Sequence, residues 1–271
     1  MQKKVVFLDI DGTMVDFDGV TPASTIQAIQ MARKNGHKMI VCSGRSRYQI
    51  YGELLKIGFD GIIAAAGSYV ECDGKEIFHQ YIEETQRKML ADYLEKNKFT
   101  YVIQSTQKSI VNSRCAVILQ EMYQKMNMPA DRVKNLEGGV IISEEVWNYE
   151  QEEKAVYHHS PFSLEKVRYD LAPYFNVTAL SFELEEGSGE IGIAGVDKST
   201  GMKRVLDYYG LTQNDTIAVG DGPNDMEMID FAAIGVAMGN ARTELKGIAD
   251  MITDSVSEDG IYHAFEKLKL I

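Results

Sequence analysis

Short apolar runs alternate with stretches of helical spacing through the first part of the chain. Residues 5–8, Val-Val-Phe-Leu, have the β-branched, unbroken apolar character of a strand buried on both faces. Residues 23–35 place Ile26, Ile29 and Ala32 on one stripe, which predicts a helix stopped at Gly36. A second strand is predicted over 38–42, ending at Ser43-Gly44-Arg45, and a second helix over 48–57, stopped at Gly58. A third strand follows over 61–66, then a hairpin over 70–81 turned at Asp73-Gly74. The βαβαβ order implies a parallel sheet with right-handed crossovers.

The pattern then changes. Residues 83–98 predict an amphipathic helix with Leu90, Tyr93 and Leu94 on one side. Residues 100–111 alternate like a half-buried strand, 113–126 and 163–174 read as helices, and 177–184 alternate again, as in an α+β unit with an antiparallel sheet. After Glu185-Glu186-Gly187-Ser188-Gly189 the parallel order returns: strands at 191–194, 216–219 and 234–237, helices at 200–209 and 226–232. The expected class is α/β. A doubly wound, Rossmann-like parallel-sheet core of residues 1–81 and 188–271 is interrupted by an inserted α+β domain, 82–187.

Composition narrows the choice of partner. With 271 residues, 45% hydrophobic and 25% charged, a substantial core is available. Lys plus Arg total 28 against 40 Asp plus Glu, a formal net charge of −12. No basic excess exists to neutralise phosphates, which argues against nucleic acid or an anionic membrane, but a local pocket could still hold a small phosphorylated molecule. Cys42, Cys72 and Cys115 are odd in number, widely spaced and without a CxxC, so buried reduced thiols are expected rather than a disulfide framework or a zinc site. The residues before the first strand are too few for a signal peptide, and no apolar run approaches membrane-spanning length, so a cytoplasmic protein is expected. The sequence carries no signal for an oligomeric state.

Chemistry concentrates where strands end. Ligands in open parallel sheets sit beyond the carboxyl ends of the strands, and four polar clusters fall there: Asp9-Ile10-Asp11-Gly12-Thr13, Ser43-Gly44, Asp197-Lys198, and Gly220-Asp221-Gly222-Pro223-Asn224-Asp225. Two carboxylates as close as Asp9 and Asp11 repel each other, so such a strand end needs a cation or a chemical task. Hard oxygen donors with no His or Cys nearby suggest Mg²⁺ rather than zinc.

DIDGT, Ser-Gly after a strand, a lysine opening a helix, and GDGPND together resemble the four motifs of the haloacid dehalogenase superfamily of phosphohydrolases. VCSGR, VDKSTGM, AVGDGPNDMEMI, VAMGNA and EDGI resemble its Cof-type subfamily, in which an α/β cap is inserted between the second and third motifs. The resemblance covers the core in order; in 82–187 it extends only to size and element pattern. It implies that Asp9 is a nucleophile forming an aspartyl phosphate. It implies that Asp11 is the general acid and base. Mg²⁺ would be held by the Asp9 and Asp221 side chains and the Asp11 carbonyl, with Asp225 either supporting the metal through water or orienting Lys198. Ser43, the Gly44 and Ile10 amides, Lys198 and Asn224 would hold the phosphoryl oxygens. Cof-type sequences carry Asn-Gly where this chain has Ala65-Ala66-Gly67, so a contact from that Asn does not carry over.

Other residues have quieter readings. Arg45 is expected to pair with a neighbouring carboxylate. Asn240 either faces the site or caps a helix at 241–246, and Asp259-Gly260 either matches the late family motif or starts the last helix. His158 and His159, being adjacent, point in different directions and do not suggest a shared metal. Trp147 and Tyr149 read as core or as pocket lining. Three functions are carried: a phosphatase for a sugar phosphate or phosphorylated cofactor, a phosphomutase of the same superfamily, and a non-catalytic sensor of phosphorylated ligands. The intact Asp9 and Asp11 speak against the sensor.

Overall fold

A computed structural model of the chain describes residues 3–16, 19–125, 140–149, 151–180 and 187–271. Val5–Leu8 (β1) has all four side chains buried. A strand hidden on both faces belongs inside a sheet covered on both sides, and here both edges of β1 are paired. Lys38–Cys42 (β2) runs parallel along one edge, Val5 beside Lys38, and Thr216–Gly220 (β12) along the other, Val5 beside Thr216. Beyond β2 lie Gly61–Ala64 (β3), parallel, then the antiparallel pair Tyr69–Cys72 (β4) and Lys75–His79 (β5). Beyond β12 lie Ile234–Ala237 (β13) and Met251–Ile252 (β14), both parallel. The β4–β5 turn is Asp73-Gly74, with φ of +48° and +75°, as a tight primed turn requires. Helices Ala23–Lys34 (α1), Lys198–Tyr209 (α6) and Gly260–Lys267 (α9) contribute Ile29, Ala32, Met202, Val205 and Phe265 to the same buried cluster as the strands. Because β1, β2 and β12 are parallel, their carboxyl ends open at one edge of the sheet.

The chain divides into two compact units. One is Met1–Arg45, Gln49–His79 and Val196–Ile271; the other is Ser46–Tyr48 and Gln80–Gly195. The second has its own sheet, in the order Phe175–Thr178 (β10), Gly189–Ile193 (β11), Glu152–His158 (β9), Thr100–Ser105 (β6), Ser109–Val111 (β7), Val140–Ile142 (β8). Its pairings are antiparallel except β7 with β8. Glu84–Lys96 (α3), Ser113–Lys125 (α4) and Leu164–Leu171 (α5) bury Leu90, Leu94, Cys115, Leu119, Val167 and Leu171. Tyr48 is tied to this unit through its amide, which donates to Thr106 O at 3.0 Å, and its hydroxyl, which meets Ser109 Oγ. Cys42, Cys72 and Cys115 are buried free thiols, and among the described residues no helix is long and apolar enough to cross a membrane.

Several elements differ from the expectation. In place of one helix over 48–57 the chain makes a 3₁₀ turn, Arg47–Gln49, and a short helix, Glu53–Lys56 (α2), broken at Gly52 with φ +65°. The strand expected to reach 66 ends at Ala64, because Ala65 and Ala66 turn into the left-handed region at φ +47° and +52°. The single strand expected over 100–111 is a hairpin. Ser105 folds it by accepting Gln107 and Lys108 amides on its hydroxyl. The strand at 191–194 does not resume the parallel sheet; as β11 it pairs antiparallel with β9 and β10. The helix from 163 stops at Leu171, just before Ala172-Pro173, since the residue ahead of a proline disfavours helical geometry. Alternation over 177–184 corresponds to β10, displaced toward Phe175; 181–186 and Met126 lie outside the described residues. Strand β9, Glu-Glu-Lys-Ala-Val-Tyr-His, has no counterpart in the expectation.

That strand begins with a buried charge. Glu152 is fully buried, with Arg87 Nε 3.5 Å away. Burial pushes its carboxyl up to about 7 from an ordinary 4.5, against the opposing pull of Arg87. The folded state therefore holds this proton where the unfolded chain has released it, and stability falls as pH rises from about 4.5 to about 7. Glu152→Gln removes that loss. Its stability relative to wild type should rise by roughly 2 kcal/mol between pH 5 and pH 8 in urea titrations. An unchanged difference at the two pH values would remove the burial account.

Candidate active site

All four strand-end clusters fall in the first unit. Asp9 follows β1 with its amide donating to Val219 O at 3.1 Å, and Asp221 follows β12. Between them stands Lys198. Its position at the first turn of α6 is set by a capping box: Asp197 Oδ1 accepts the Thr200 amide at 2.9 Å, and the Asp197 amide donates to Thr200 Oγ1 at 3.1 Å. The β3–β4 loop lies against this helix start at Gly67, where φ is +109° and a Cβ would come 2.2 Å from Asp197 O.

Lys198 is 1% exposed, and its ammonium donates to Asp9 Oδ1 at 2.6 Å and Asp225 Oδ1 at 2.5 Å. Burial alone would lower its pKa, but the two carboxylates outweigh burial and hold it protonated. The second oxygen of Asp225 accepts the Asp221 and Gly222 amides at 3.0 and 2.9 Å. Asp225 thus fixes both the lysine and the loop after β12. Asp221 Oδ1 accepts Thr13 Oγ1 at 3.0 Å. Gly12 sits against it with φ +79°; a Cβ there would lie 2.2 Å from Asp221 Oδ2, so any other residue would be strained and would push the Asp221 carboxylate aside.

The carboxylates of Asp9, Asp221 and Asp225 offer ligand atoms all within 4.8 Å of one another. Burial, then Asp225, raises Asp9 well above the usual range despite Lys198. Burial, then Asp225, raises Asp221 to about 7, opposed by Thr13 and Lys198. Holding these groups ionised together is costly without a further cation, and an all-oxygen donor set suits a hard divalent ion. The residues present fit Mg²⁺, most directly at Asp9 and Asp221, since both oxygens of Asp225 are already engaged.

Asp11 points elsewhere. Arg45 Nε and Nη2 donate to its two oxygens at 2.8 and 2.5 Å, a bidentate pair that fixes the carboxyl's direction. Arg45 is thus the carboxylate partner expected, and that carboxylate is Asp11. Ser43 is buried, its hydroxyl accepting the Arg45 amide at 3.2 Å, while Gly44 beside it is partly exposed. Ile10 is buried, its carbonyl accepting the Thr13, Met14 and Val15 amides. Asn224 is partly exposed in the turn Pro223–Asp225. Ala66 donates its amide to Ser43 O at 3.1 Å, and its methyl offers no hydrogen bond.

Asn240 does not cap a helix. Thr243–Ile248 (α8) starts after Arg242, and Asn240 instead donates to Gly12 O at 2.8 Å and accepts the Val256 amide at 3.0 Å. Asp259 accepts Ser24 Oγ at 2.5 Å at the start of α9. His158 is buried, 3.3 Å from Ser188 Oγ, and His159 is exposed. Trp147 packs on Tyr101. Thr13 and Asn240 are the site residues to which sequence reasoning gave no firm role. The hydroxyl directly after Asp-Ile-Asp-Gly was the available signal for Thr13; Asn240 carried none that separates a clamp from a cap.

A sequence profile of haloacid dehalogenase-like hydrolases matches residues 6–265. The chain belongs to that family. As a haloacid dehalogenase-like hydrolase it is an enzyme. It is 31% identical to YkrA of Bacillus subtilis over the whole of both chains. It is 26% identical to the B. subtilis 5-amino-6-(5-phospho-D-ribitylamino)uracil phosphatase YitU, over 95% of this chain and 94% of that one. Among solved structures it is similar to a phosphatase of the same superfamily from Bacteroides thetaiotaomicron, with a TM-score of 0.83 and 26% identity, covering 99% of this chain and 96% of that chain.

Removing Lys198 tests the electrostatics. Lys198→Met leaves two buried carboxylates without their cation, which should cost about 3–5 kcal/mol at pH 8. The deficit should shrink at pH 5, where Asp9 can take up a proton. Denaturant titrations at both pH values measure it; a deficit that does not depend on pH would contradict the charge argument.

Proposed function

We propose that this haloacid dehalogenase-type phosphatase hydrolyses a small phosphorylated metabolite, a sugar phosphate or phosphorylated cofactor, in two steps through Asp9, with Mg²⁺ as cofactor. The observation that carries the reading is Lys198. Its ammonium binds Asp9 at the carboxyl end of β1, and Asp221 closes the same cluster from β12. An ammonium fixed beside a carboxylate is suited to a reaction in which negative charge spreads over oxygens next to that carboxylate.

In the first step an Asp9 oxygen attacks phosphorus, and the bond from phosphorus to the organic oxygen breaks. Asp11 delivers a proton to that leaving oxygen, so an alcohol departs and an aspartyl phosphate remains. In the second step Asp11 takes a proton from water as the water oxygen attacks phosphorus. Asp9 is restored and inorganic phosphate leaves. Arg45 aims the Asp11 carboxyl, and Ser43, Asn224 and the Gly44 and Ile10 amides are assigned to the phosphoryl oxygens. Mg²⁺, when bound by Asp9, Asp221 and the Asp11 carbonyl, supplies Lewis-acid polarisation of the phosphoryl group. Residues 82–187 act as a cap that selects the organic group. The phosphorylated ribityl compound named for YitU is of the substrate class proposed here.

Chelation should abolish phosphate release from a panel of phosphorylated metabolites, and added Mg²⁺ should restore it; undiminished activity after exhaustive chelation would falsify the metal assignment. Release of free phosphate without a bisphosphorylated activator separates hydrolysis from mutase chemistry.

The two aspartates can be told apart. Asp9→Asn should remove turnover of every phosphate ester. Asp11→Asn should slow alkyl esters by ~10²–10⁴-fold, the usual worth of general acid catalysis. An aryl ester, whose phenol leaves without help, should still transfer phosphate to Asp9 and give a burst of phenol no larger than the enzyme concentration. Mass spectrometry after rapid quenching should find the phosphate on Asp9. Phosphate on another residue, or equal alkyl and aryl rates at the wild-type level in Asp11→Asn, would overturn the roles.

A further inference from the structure

Asn240 lies outside the four strand-end clusters, yet it reaches one of them. It belongs to the loop after β13, and both halves of its amide are engaged. The Val256 amide donates to Oδ1 at 3.0 Å, and Nδ2 donates to Gly12 O at 2.8 Å. A backbone N–H can only donate and a carbonyl can only accept, so these two partners fix which way the amide faces. The loop that carries Asn240 is itself held. The Gly239 amide donates to Asp254 O at 2.9 Å, Lys246 Nζ donates to Gly239 O at 2.6 Å, and the Arg242 amide donates to Asp221 O at 3.0 Å. At Gly239 this loop meets the segment after β14 closely: a Cβ there would lie 2.5 Å from Ser255 N. That segment is already joined to β13 by backbone. β14 pairs with β13, and the Thr253 amide donates to Ala237 O at 3.0 Å. Holding it does not require the Asn240 side chain. What the side chain adds is the link to Gly12.

Gly12 is where such a link has leverage. With φ at +79° and no Cβ, its torsions are restrained by its hydrogen bonds more than by sterics. The Gly12 amide donates to Val15 O at 2.8 Å. That bond sets the plane of the Asp11–Gly12 peptide, and the Asp11 carbonyl lies in the same plane. The Gly12 carbonyl belongs to the next peptide, and Asn240 sets that one. Thr13, on the far side of it, donates its hydroxyl to Asp221 Oδ1 at 3.0 Å. The turn itself grips Thr13 least: Ile10 O accepts the Thr13, Met14 and Val15 amides at 3.3, 2.9 and 2.8 Å. The two peptides that flank one flexible residue thus lead to two of the groups assigned to Mg²⁺, the Asp11 carbonyl and the Asp221 carboxylate. Asn240 stands behind the second peptide.

We propose that Asn240 is a positioning residue for the divalent cation. By anchoring the Gly12 carbonyl it holds the Asp11 carbonyl and the Thr13–Asp221 pair in the arrangement that binds Mg²⁺. It acts through Gly12, and the inference rests on the metal assignment made above. Groups that orient metal ligands are typically worth ~10–100-fold in metal affinity.

The experiment follows the melting temperature of the full chain as MgCl₂ is added, and takes the Mg²⁺ dissociation constant from the rise. Asn240→Ala should raise that constant ~10–100-fold. Thr253→Ala is the comparison, because Thr253 Oγ1 donates to Gly260 O at 2.7 Å and secures the neighbouring segment without reaching Gly12. It should lower the melting temperature and leave the Mg²⁺ constant at the wild-type value. Should Asn240→Ala not fold, Asn240→Asp decides. It keeps an acceptor for the Val256 amide and removes the donor to Gly12, and it should weaken Mg²⁺ even though its added negative charge acts the other way. Phosphate release from acetyl phosphate, p-nitrophenyl phosphate and ribitol 5-phosphate then separates binding from chemistry. In Asn240→Ala, kcat at saturating Mg²⁺ should return close to the wild-type value, while the Mg²⁺ needed for half that rate rises with the dissociation constant. An unchanged Mg²⁺ constant in the Asn240 variant, or an equal weakening in Thr253→Ala, overturns the proposal. A wild type whose melting temperature ignores Mg²⁺ overturns the metal assignment and the proposal with it. A wild type that binds Mg²⁺ but releases phosphate from none of the three esters overturns the phosphatase reading alone; weaker Mg²⁺ binding in Asn240→Ala would still support the role given to Asn240.

Discussion

The first unit is organised around one ammonium group. Lys198 is sealed from solvent and bonded to Asp9 and Asp225, which belong to different strand ends. Removing any one of three such charges exposes the others to an apolar surround they cannot tolerate. The helix start, the end of β1 and the loop after β12 are therefore held in one geometry. Asp225 extends that geometry by accepting the Asp221 and Gly222 amides, and Thr13 returns it to the strand where it began.

The same cluster is under tension. One ammonium stands among the carboxylates of Asp9, Asp221 and Asp225, and both Asp9 and Asp221 are pushed toward protonation. Charge beyond the lysine is wanted there, and a resting site of this kind is already electrostatically shaped for an added cation. The Arg45 pair keeps Asp11 out of that cluster, so two carboxylates separated by a single residue face different surroundings. This divergence lessens the repulsion that their spacing in sequence implies, and Asp11 adds less to the raising of Asp9 than burial, Asp225 or Asp221 does.

Much of the first unit was legible because its signals are local. β1, β2 and β13 match their apolar runs residue for residue, since a fully buried strand must be written as an unbroken one. Asp9, Lys198 and Asp221 were visible as polar breaks at strand ends. The double bond made by Asn240 was not, because one asparagine serves cap and clamp equally well until the partners are known. The second unit was harder. β9 opens with Glu-Glu-Lys, which reads as solvent-exposed, yet it is an interior strand of the sheet with those residues buried. β11 looked parallel because an apolar run carries no record of its neighbours' direction, and only the pairing with β9 and β10 reveals it.

The pairing of β1 has a consequence for how the protein is made. β1 is synthesised before the second unit, but one of its two partners, β12, comes after it. The second unit's strands and helices all lie between them in sequence. During translation that unit emerges complete while β1 still lacks one edge, and an open edge of a buried strand invites pairing with other chains. Asp9 waits as well, since Lys198, Asp221 and Asp225 follow the second unit. The nascent chain thus carries Asp9 without the groups that surround it in the folded protein, and the cluster closes only when the sheet does.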